Sequence, residues 1–475
     1  MRAGVLSIVL VLLLSACVTP QTETPVGTPV RNEALGLTGA APTVPRDEWW
    51  KAFADSQLDT LMTDALRDSP TLAQALARVR LAQAQANAAN AANDPHFAVD
   101  AEEVWQRLSA DYYIPPPFGG NRYWVGQATA NLNWTLDFWG RQAASIRQAE
   151  SQFAASRLDV DAARLALTGA VVQAYLNLQR TWELLDIATQ LQAQREELSR
   201  LTRSRVDAGL DTQIELKTVE ANLAQARAGV MQAESARDLA VHRLAALAGY
   251  GADHYAQIQR PQLQLAAELN LPEQLPIDLL GHRPDVLATR ARIEAATAGR
   301  DAARAAFYPD VNLKAFVGTQ AIGLDNLAQH DSLVYGAGPA LHLPIFDAQR
   351  LRAEYKGATA ELDAAVATYN GTVLDAVRET ADQLTLNASI ARQIGAIQQA
   401  VDASTVAYDL ARKRYGAGLT TQLTVLNADT QVLSARRALV TANTDLVSAR
   451  VALRMTLGGS FDAAAQTPAA SGVSP

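Results

Sequence analysis

The chain carries one cysteine in 475 residues, Cys17. No intrachain disulfide can brace it, so an exported form needs a large core or an oligomer for stability. It has no proline between Gly140 and Pro261, and none between Pro344 and Pro468. Stretches of that length without a helix breaker are foreign to a loop-rich domain. No apolar run is long enough to span a bilayer as a helix; Val5 to Leu14 is ten residues, interrupted by Ser7. No basic run stands out and the net charge is -8, which argues against a nucleic-acid partner. The six histidines, at 96, 242, 254, 282, 330 and 342, show no metal-ligand spacing. A phosphate-cradling glycine loop and a G-x-S-x-G elbow are both missing. The expectation is therefore a non-enzyme with no metal and no cofactor.

What the chain does have is a stretch from Arg122 to Arg141 that alternates strictly. One face reads Trp124, Gly126, Ala128, Ala130, Leu132, Trp134, Leu136, Phe138; the other carries Gln127, Thr129, Asn131 and Asn133. A period of two is a strand with one apolar and one polar face. Trp124 and Trp134 lie ten residues apart on the apolar face. At roughly 3.3 Å per residue and a tilt near 40°, that is about 25 Å, the spacing of two aromatic girdles on a transmembrane strand. A strand of a soluble sandwich would alternate in the same way, so the surroundings must decide.

The stretch has a copy. At an offset of 209, Leu333, Tyr335, Ala337, Pro339, Leu341, Leu343 and Ile345 repeat its apolar face, and R-V-D-A-G-L-D-T-Q-I (205 to 214) overlays R-Y-G-A-G-L-T-T-Q-L (414 to 423). Upstream, P-T-L-A-Q-A-L-A-R-V overlays P-D-V-L-A-T-R-A-R-I at 214, so the first half has five extra residues between its strands. The chain is a tandem duplication with a period too long for a solenoid.

In each half an alanine-rich helix leads into a hairpin, with strands expected at 96–108 and 122–138, then at 310–320 and 332–346. A proline-free helix follows, 141–207 and 350–416. About 67 residues of helix make a rod of about 100 Å. Gly209 and Gly418 end these rods as left-handed caps, and a helix of about 37 residues returns from each. The short helix before each hairpin and the returning helix together have the length to stack end to end beside the rod. Residues 1–16 read as a signal peptide, 17–48 as a tether rich in Thr, Pro and Gly, 49–250 and 284–458 as the repeats, 251–283 as a link and 459–475 as a disordered tail. Leu14-Ser15-Ala16-Cys17 resembles a bacterial lipobox, with lipid on Cys17; Val18 after it favours passage to the outer membrane.

Four amphipathic strands cannot close a barrel, and a bilayer tolerates no open sheet edge. Copies must combine to give 8, 12 or 16 strands, with Gln127, Thr129, Asn131, Asn133, Asn312 and Gln320 lining an aqueous lumen. An α+β fold of two β-hairpins and very long antiparallel helices is expected, and a hollow tube of that kind suits a duct.

The paired halves, the lipobox, H-R-P-D-V (282 to 286), A-A-F-Y-P-D-V-N-L (305 to 313), L-P-I-F-D (343 to 347) and the R-x-x-A-G-L turns resemble the TolC-like outer membrane efflux proteins, in their lipidated drug-efflux branch. The likeness covers essentially the whole mature chain. It implies a homotrimer, with a 12-stranded transmembrane β-barrel continued by a periplasmic α-helical barrel. It also implies an exit duct for drugs or other small toxic compounds, working with a periplasmic adaptor and an inner-membrane pump. By that resemblance Gly209, Leu210, Gly418 and Leu419 are the tips where the adaptor docks. Relatives narrow the tube just past the second turn with an apolar residue and an aspartate one helical turn on; here those positions are Leu423 and Asn427. Thr430 continues their face, while Asp429 lies about 160° away around the helix. Asn427 in place of the aspartate removes the charge repulsion that three carboxylates would exert at the axis. Two other readings remain open: the outer-membrane channel of a protein (type I) secretion system, and a non-conducting structural lipoprotein spanning the periplasm.

Overall fold

A computed structural model describes residues 23–30, 35, 37, 48–111, 114–264, 271–272, 274, 276, 279–344, 347–459 and 461. Cys17, the signal peptide, most of the tether and most of the C-terminal tail lie outside the described residues. The helices are α1 (Ser56–Asp68), α2 (Pro70–Ala91), α3 (Arg141–Asp207), α4 (Gln213–Leu247), α5 (Pro284–Ala305), α6 (Ala348–Gly416) and α7 (Gln422–Thr456). The strands are β1 (His96–Arg107), β2 (Arg122–Leu136), β3 (Asp310–Ile322) and β4 (Leu333–His342). Backbone contacts divide the chain into two compact units: one holds 78–156 and 288–370 with the start of the chain, the other 30–77, 157–287 and 371–475.

The first unit contains a four-stranded antiparallel sheet in the order β1-β2-β3-β4. The two hairpins join through β2 and β3, where Thr129 pairs with Gly318, into one surface. β2 stops at Leu136, short of the expected 138, because Asp137 leaves the ladder to accept the Ala143 N–H at 2.8 Å at the start of α3. β4 stops at His342, short of Leu343 and Pro344; Ile345 and Phe346 lie outside the described residues. A small cluster of Phe307, Leu351 and Tyr355 packs the foot of the second hairpin. Here Tyr308 stacks on Trp139 with ring centres 4.8 Å apart, and Arg141 reaches Asp310 at 3.3 Å. The A-A-F-Y-P-D segment thus ties the two hairpins together at their base. Residues 23–28 run against α5 and α6: the Val26 and Gly27 N–H groups both donate to Asp363 at 2.9 Å, and Asn370 donates to the Thr28 carbonyl at 2.9 Å.

The second unit has the main core. Trp49, Trp50, Phe53, Leu58, Leu61 and Met62 pack against Val171, Tyr175 and Leu178 of α3, Val241 and Leu244 of α4, and Val447 and Val451 of α7. Asp55 organises the corner: it accepts the Gln57 N–H at 3.0 Å, capping α1, and the Tyr175 hydroxyl and Gln262 N–H at 2.8 and 2.7 Å. Burial pushes the Arg454 guanidinium down to about 10, and it lies 5.5 Å over the Trp49 ring.

The returning helices meet the hairpin helices end to end. A Cβ on Gly249, just past α4, would lie 3.2 Å from the Asp68 carbonyl oxygen beside the start of α2. One on Gly458, past α7, would lie 1.9 Å from the His282 carbonyl oxygen beside the start of α5. The H-R-P-D segment locks the second junction: Arg283 holds Asp285 at 2.7 and 3.1 Å, Glu379 of α6 at 3.2 Å and the Thr456 carbonyl at 3.4 Å.

Candidate functional site

Strand register decides what each face of the sheet can touch. Residues directly opposite share a face. Trp105 pairs with Trp124, Val99 with Ala130 and Phe97 with Leu132; Ala130 pairs with Val317 and Trp134 with Leu313; Val317 pairs with Tyr335 and Leu313 with Pro339. The alternation seen in one strand is therefore in step across all four. Between the rows of Trp124 and Trp134 the apolar face is interrupted by Glu103 and Thr319 and by the hydroxyl of Tyr335. Trp124 and Trp134 are 45% and 37% exposed, which is the wrong place for large aromatics facing water and the right one facing lipid. Trp105 joins Trp124, with ring centres 5.5 Å apart. Its alternate position on β1 was the available sign that it joins this row.

The opposite face is polar. Asn131 donates to Asp100 at 2.7 Å and to Thr129 at 3.2 Å, and Thr135 donates to Asn312 at 2.6 Å. Gln127 pairs with Gln320. Phe316, on the same face, is an exception that the alternation did not announce.

In the second unit, the tip turns have the same backbone in both halves. The Leu210 and Gly209 N–H groups donate back to the Arg205 and Val206 carbonyls at 2.8 and 2.9 Å; those of Leu419 and Gly418 donate to Arg414 and Tyr415 at 2.8 and 3.0 Å. This is the Schellman arrangement, and it requires the positive φ of Gly209 (75°) and Gly418 (74°). The leucine after such a glycine ordinarily covers the helix end. Here Leu210 and Leu419 are 66% and 69% exposed.

A polar chain that the sequence did not reveal joins the two tips. Arg205 grips Asp211 through two hydrogen bonds of 2.8 and 3.0 Å, and the Tyr415 hydroxyl donates to the same carboxylate at 2.7 Å. The Arg205 guanidinium stacks over the Tyr415 ring at 4.8 Å, and Gln422 donates to Thr202 beside the Tyr415 hydroxyl. Hydrogen bonding from Arg205 holds the Asp211 carboxyl below the usual range, and burial pushes the Tyr415 phenol up. The only available signal was a mismatch between the halves: Asp211 overlays Thr420, and Tyr415 overlays Val206.

Leu423, Asn427 and Thr430 all lie on one exposed face of α7. Thr430 turns its hydroxyl back to the Leu426 carbonyl at 2.8 Å. Asp429 faces the other way, buried, with its carboxylate 2.7 Å from Arg195. Burial pushes Asp429 upward, and the Arg195 and Arg436 charges pull it part of the way back. Among the described residues, no group of three His, Cys, Asp or Glu is placed to hold a metal ion.

A sheet with a lipid-suited face and a polar face, on a chain otherwise built of long paired helices, defines a channel-forming outer-membrane protein. The chain belongs to the outer membrane efflux protein family: residues 61–250 and 275–459 match its model, once in each half. It is 35% identical over 358 residues to the fusaric acid resistance protein FusA of Burkholderia cepacia, covering 74% of this chain and 68% of that one. It is 30% identical to the multidrug resistance outer membrane protein MdtP of Shigella flexneri, covering 88% of each. The crystal structure of the outer membrane protein VceC of Vibrio cholerae superposes with a TM-score of 0.82 at 34% identity, over 89% of this chain and all of that one. The chain is thus an outer-membrane exit duct for efflux and not an enzyme.

Proposed function

We propose that three copies form the duct, each giving four strands to a 12-stranded barrel and its long helices to a periplasmic helical barrel. The observation that carries this reading is the sheet itself: one continuous apolar face, one polar face and two open edges. Each exposed edge is a row of unpaired N–H and C=O groups that a bilayer does not tolerate. The duct passively conducts drugs or other small toxic compounds, in keeping with the resistance named for FusA and MdtP. Residues 1–16 direct export, lipid on Cys17 anchors the tether 17–48 to the outer membrane, and the repeats 49–250 and 284–458 flank the link 251–283, ahead of the tail 459–475.

The turns at Gly209-Leu210 and Gly418-Leu419 dock a periplasmic adaptor, which connects the duct to an inner-membrane pump. Their exposed leucines support this role. Leu423, Asn427 and Thr430 line the narrow end of the duct; their shared exposed face supports that placement.

A single cysteine at Thr420, beside the second tip, tests the docking. Cross-linking in living cells is expected to capture an adaptor protein. Capture of neighbouring copies alone would contradict docking at this tip and favour a structural role.

A further inference from the structure

The two open edges are not interchangeable, and the backbone says which residues each presents. In an antiparallel ladder, each residue sends its N–H and C=O to the same side, and alternate residues send them to opposite sides. The Gly323 N–H donates to the Trp124 carbonyl at 2.8 Å, one step beyond the pair Val125 and Ile322. Even-numbered β2 residues therefore bond to β3, and even-numbered β3 residues bond to β4. With Asp310 opposite His342, the even β4 residues are used within the chain. Leu333, Tyr335, Ala337, Pro339 and Leu341 face outward. On β1, Leu108 donates to Asn121 at 3.0 Å, one step beyond the pair Arg107 and Arg122. Even β1 residues are used, and Phe97, Val99, Ala101, Glu103 and Trp105 face outward. Both outward sets carry their side chains on the apolar face, so joining the edges continues that face unbroken.

Glu103 is the anomaly on this face. Its cross-strand partner is Gly126, which offers no side chain, and Glu103 makes no hydrogen bond or ion pair among the described residues. It lies one alternate position below the Trp105 row, at a depth where a lone carboxylate is costly. On β4, Tyr335 is 77% exposed and brings a hydroxyl to the same face.

We propose that Glu103 on the β1 edge of one copy accepts a hydrogen bond from the Tyr335 hydroxyl on the β4 edge of the next. This rests on the trimer proposed above. Threefold symmetry gives every copy the same stagger, and only an even number of residues keeps the apolar face continuous. For twelve strands, a tilt of about 35–45° requires a stagger of about four or six residues per copy. Four sets Tyr335 directly opposite Glu103. Six sets it opposite Trp105 and diagonal to Glu103, within reach of two long side chains. The seam also has a defined end. Pro339 faces outward in the row of Trp134 and Leu313 and has no N–H to donate. The missing bond falls at the girdle, where water can serve the orphaned carbonyl, and the hydrocarbon depth keeps a full ladder.

The test uses the full-length protein in detergent, with cysteines at both positions (Glu103→Cys with Tyr335→Cys) and a thiol reagent spanning about 8 Å, the reach expected of cross-strand neighbours. The expected result is a ladder of two and three linked chains from the double variant and none from either single variant. Native mass of the same sample separates the possible failures. A trimer without the ladder, or a ladder from a single variant, overturns the seam and leaves the assembly standing. A monomer overturns both. As a second readout, Tyr335→Phe and Glu103→Ala are each expected to speed trimer dissociation by about five- to tenfold, the scale of one membrane hydrogen bond. The double variant should be no faster than either; additive effects would overturn the contact.

Discussion

Tyr415 donates its phenolic hydrogen to the Asp211 carboxylate at 2.7 Å, joining two helix turns that lie 204 positions apart in the chain. Arg205 holds the same carboxylate from the other side. Asp211→Ala leaves a half-buried guanidinium and a buried phenol without their acceptor. The expected cost is about 2–3 kcal/mol, typical of hydrogen bonds to a charged group, read as faster amide exchange in the last turns of α3 and α6. Tyr415→Phe should cost about 1 kcal/mol, since Arg205 keeps its partner.

Asp211 and Asp429 should respond to acid with opposite signs. The folded pKa of Asp211 is depressed, so its contribution is present above the unfolded value and is lost as pH falls through the folded one. The folded pKa of Asp429 is raised, so the folded state binds its proton more readily, and this term favours folding as pH falls from the folded towards the unfolded value. Thermal unfolding of Asp211→Asn and Asp429→Asn across pH 3 to 6 checks this: relative to the parent, the first should flatten the acid-side loss of stability and the second should steepen it.

The cap glycines differ in what surrounds them. A Cβ on Gly418 meets nothing within 4 Å, so Gly418→Ala carries only the left-handed strain, about 1–2 kcal/mol. Gly458, at φ 94°, abuts the His282 carbonyl, so Gly458→Ala must displace backbone. The yield of folded, protease-resistant protein should fall little for the first and collapse for the second.

Much of this was legible in the sequence because it rests on periodicity. Strand alternation, the offset of 209 and the proline-free stretches located the strands, the long helices and the glycine turns to within a few residues. Side-chain pairing across the duplication was not legible. Arg205, Asp211 and Tyr415 come together only once two distant turns are packed, and pattern matching favours positions where the halves agree. Asp211 and Tyr415 are positions where they differ. The depth of Asp429 was readable as an angle around α7, but its partner Arg195 was not.

Asn427 offers a charge test. On the exposed face of α7, Asn427→Asp adds one carboxylate per copy. If Asn427 lines the narrow end proposed above, the reversal potential of the purified duct in a planar bilayer under a potassium chloride gradient should shift towards cation preference. An unchanged potential would remove Asn427 from the conducting path.

One sheet face meets lipid and the other meets water. Single cysteines at Gln127 and Asn131 on one face of β2 and at Ala128 and Ala130 on the other test it in intact outer membranes with a water-soluble thiol reagent. Labelling is expected at 127 and 131, with protection at 128 and 130. Labelling on both faces, or on the 128 and 130 face alone, would contradict it.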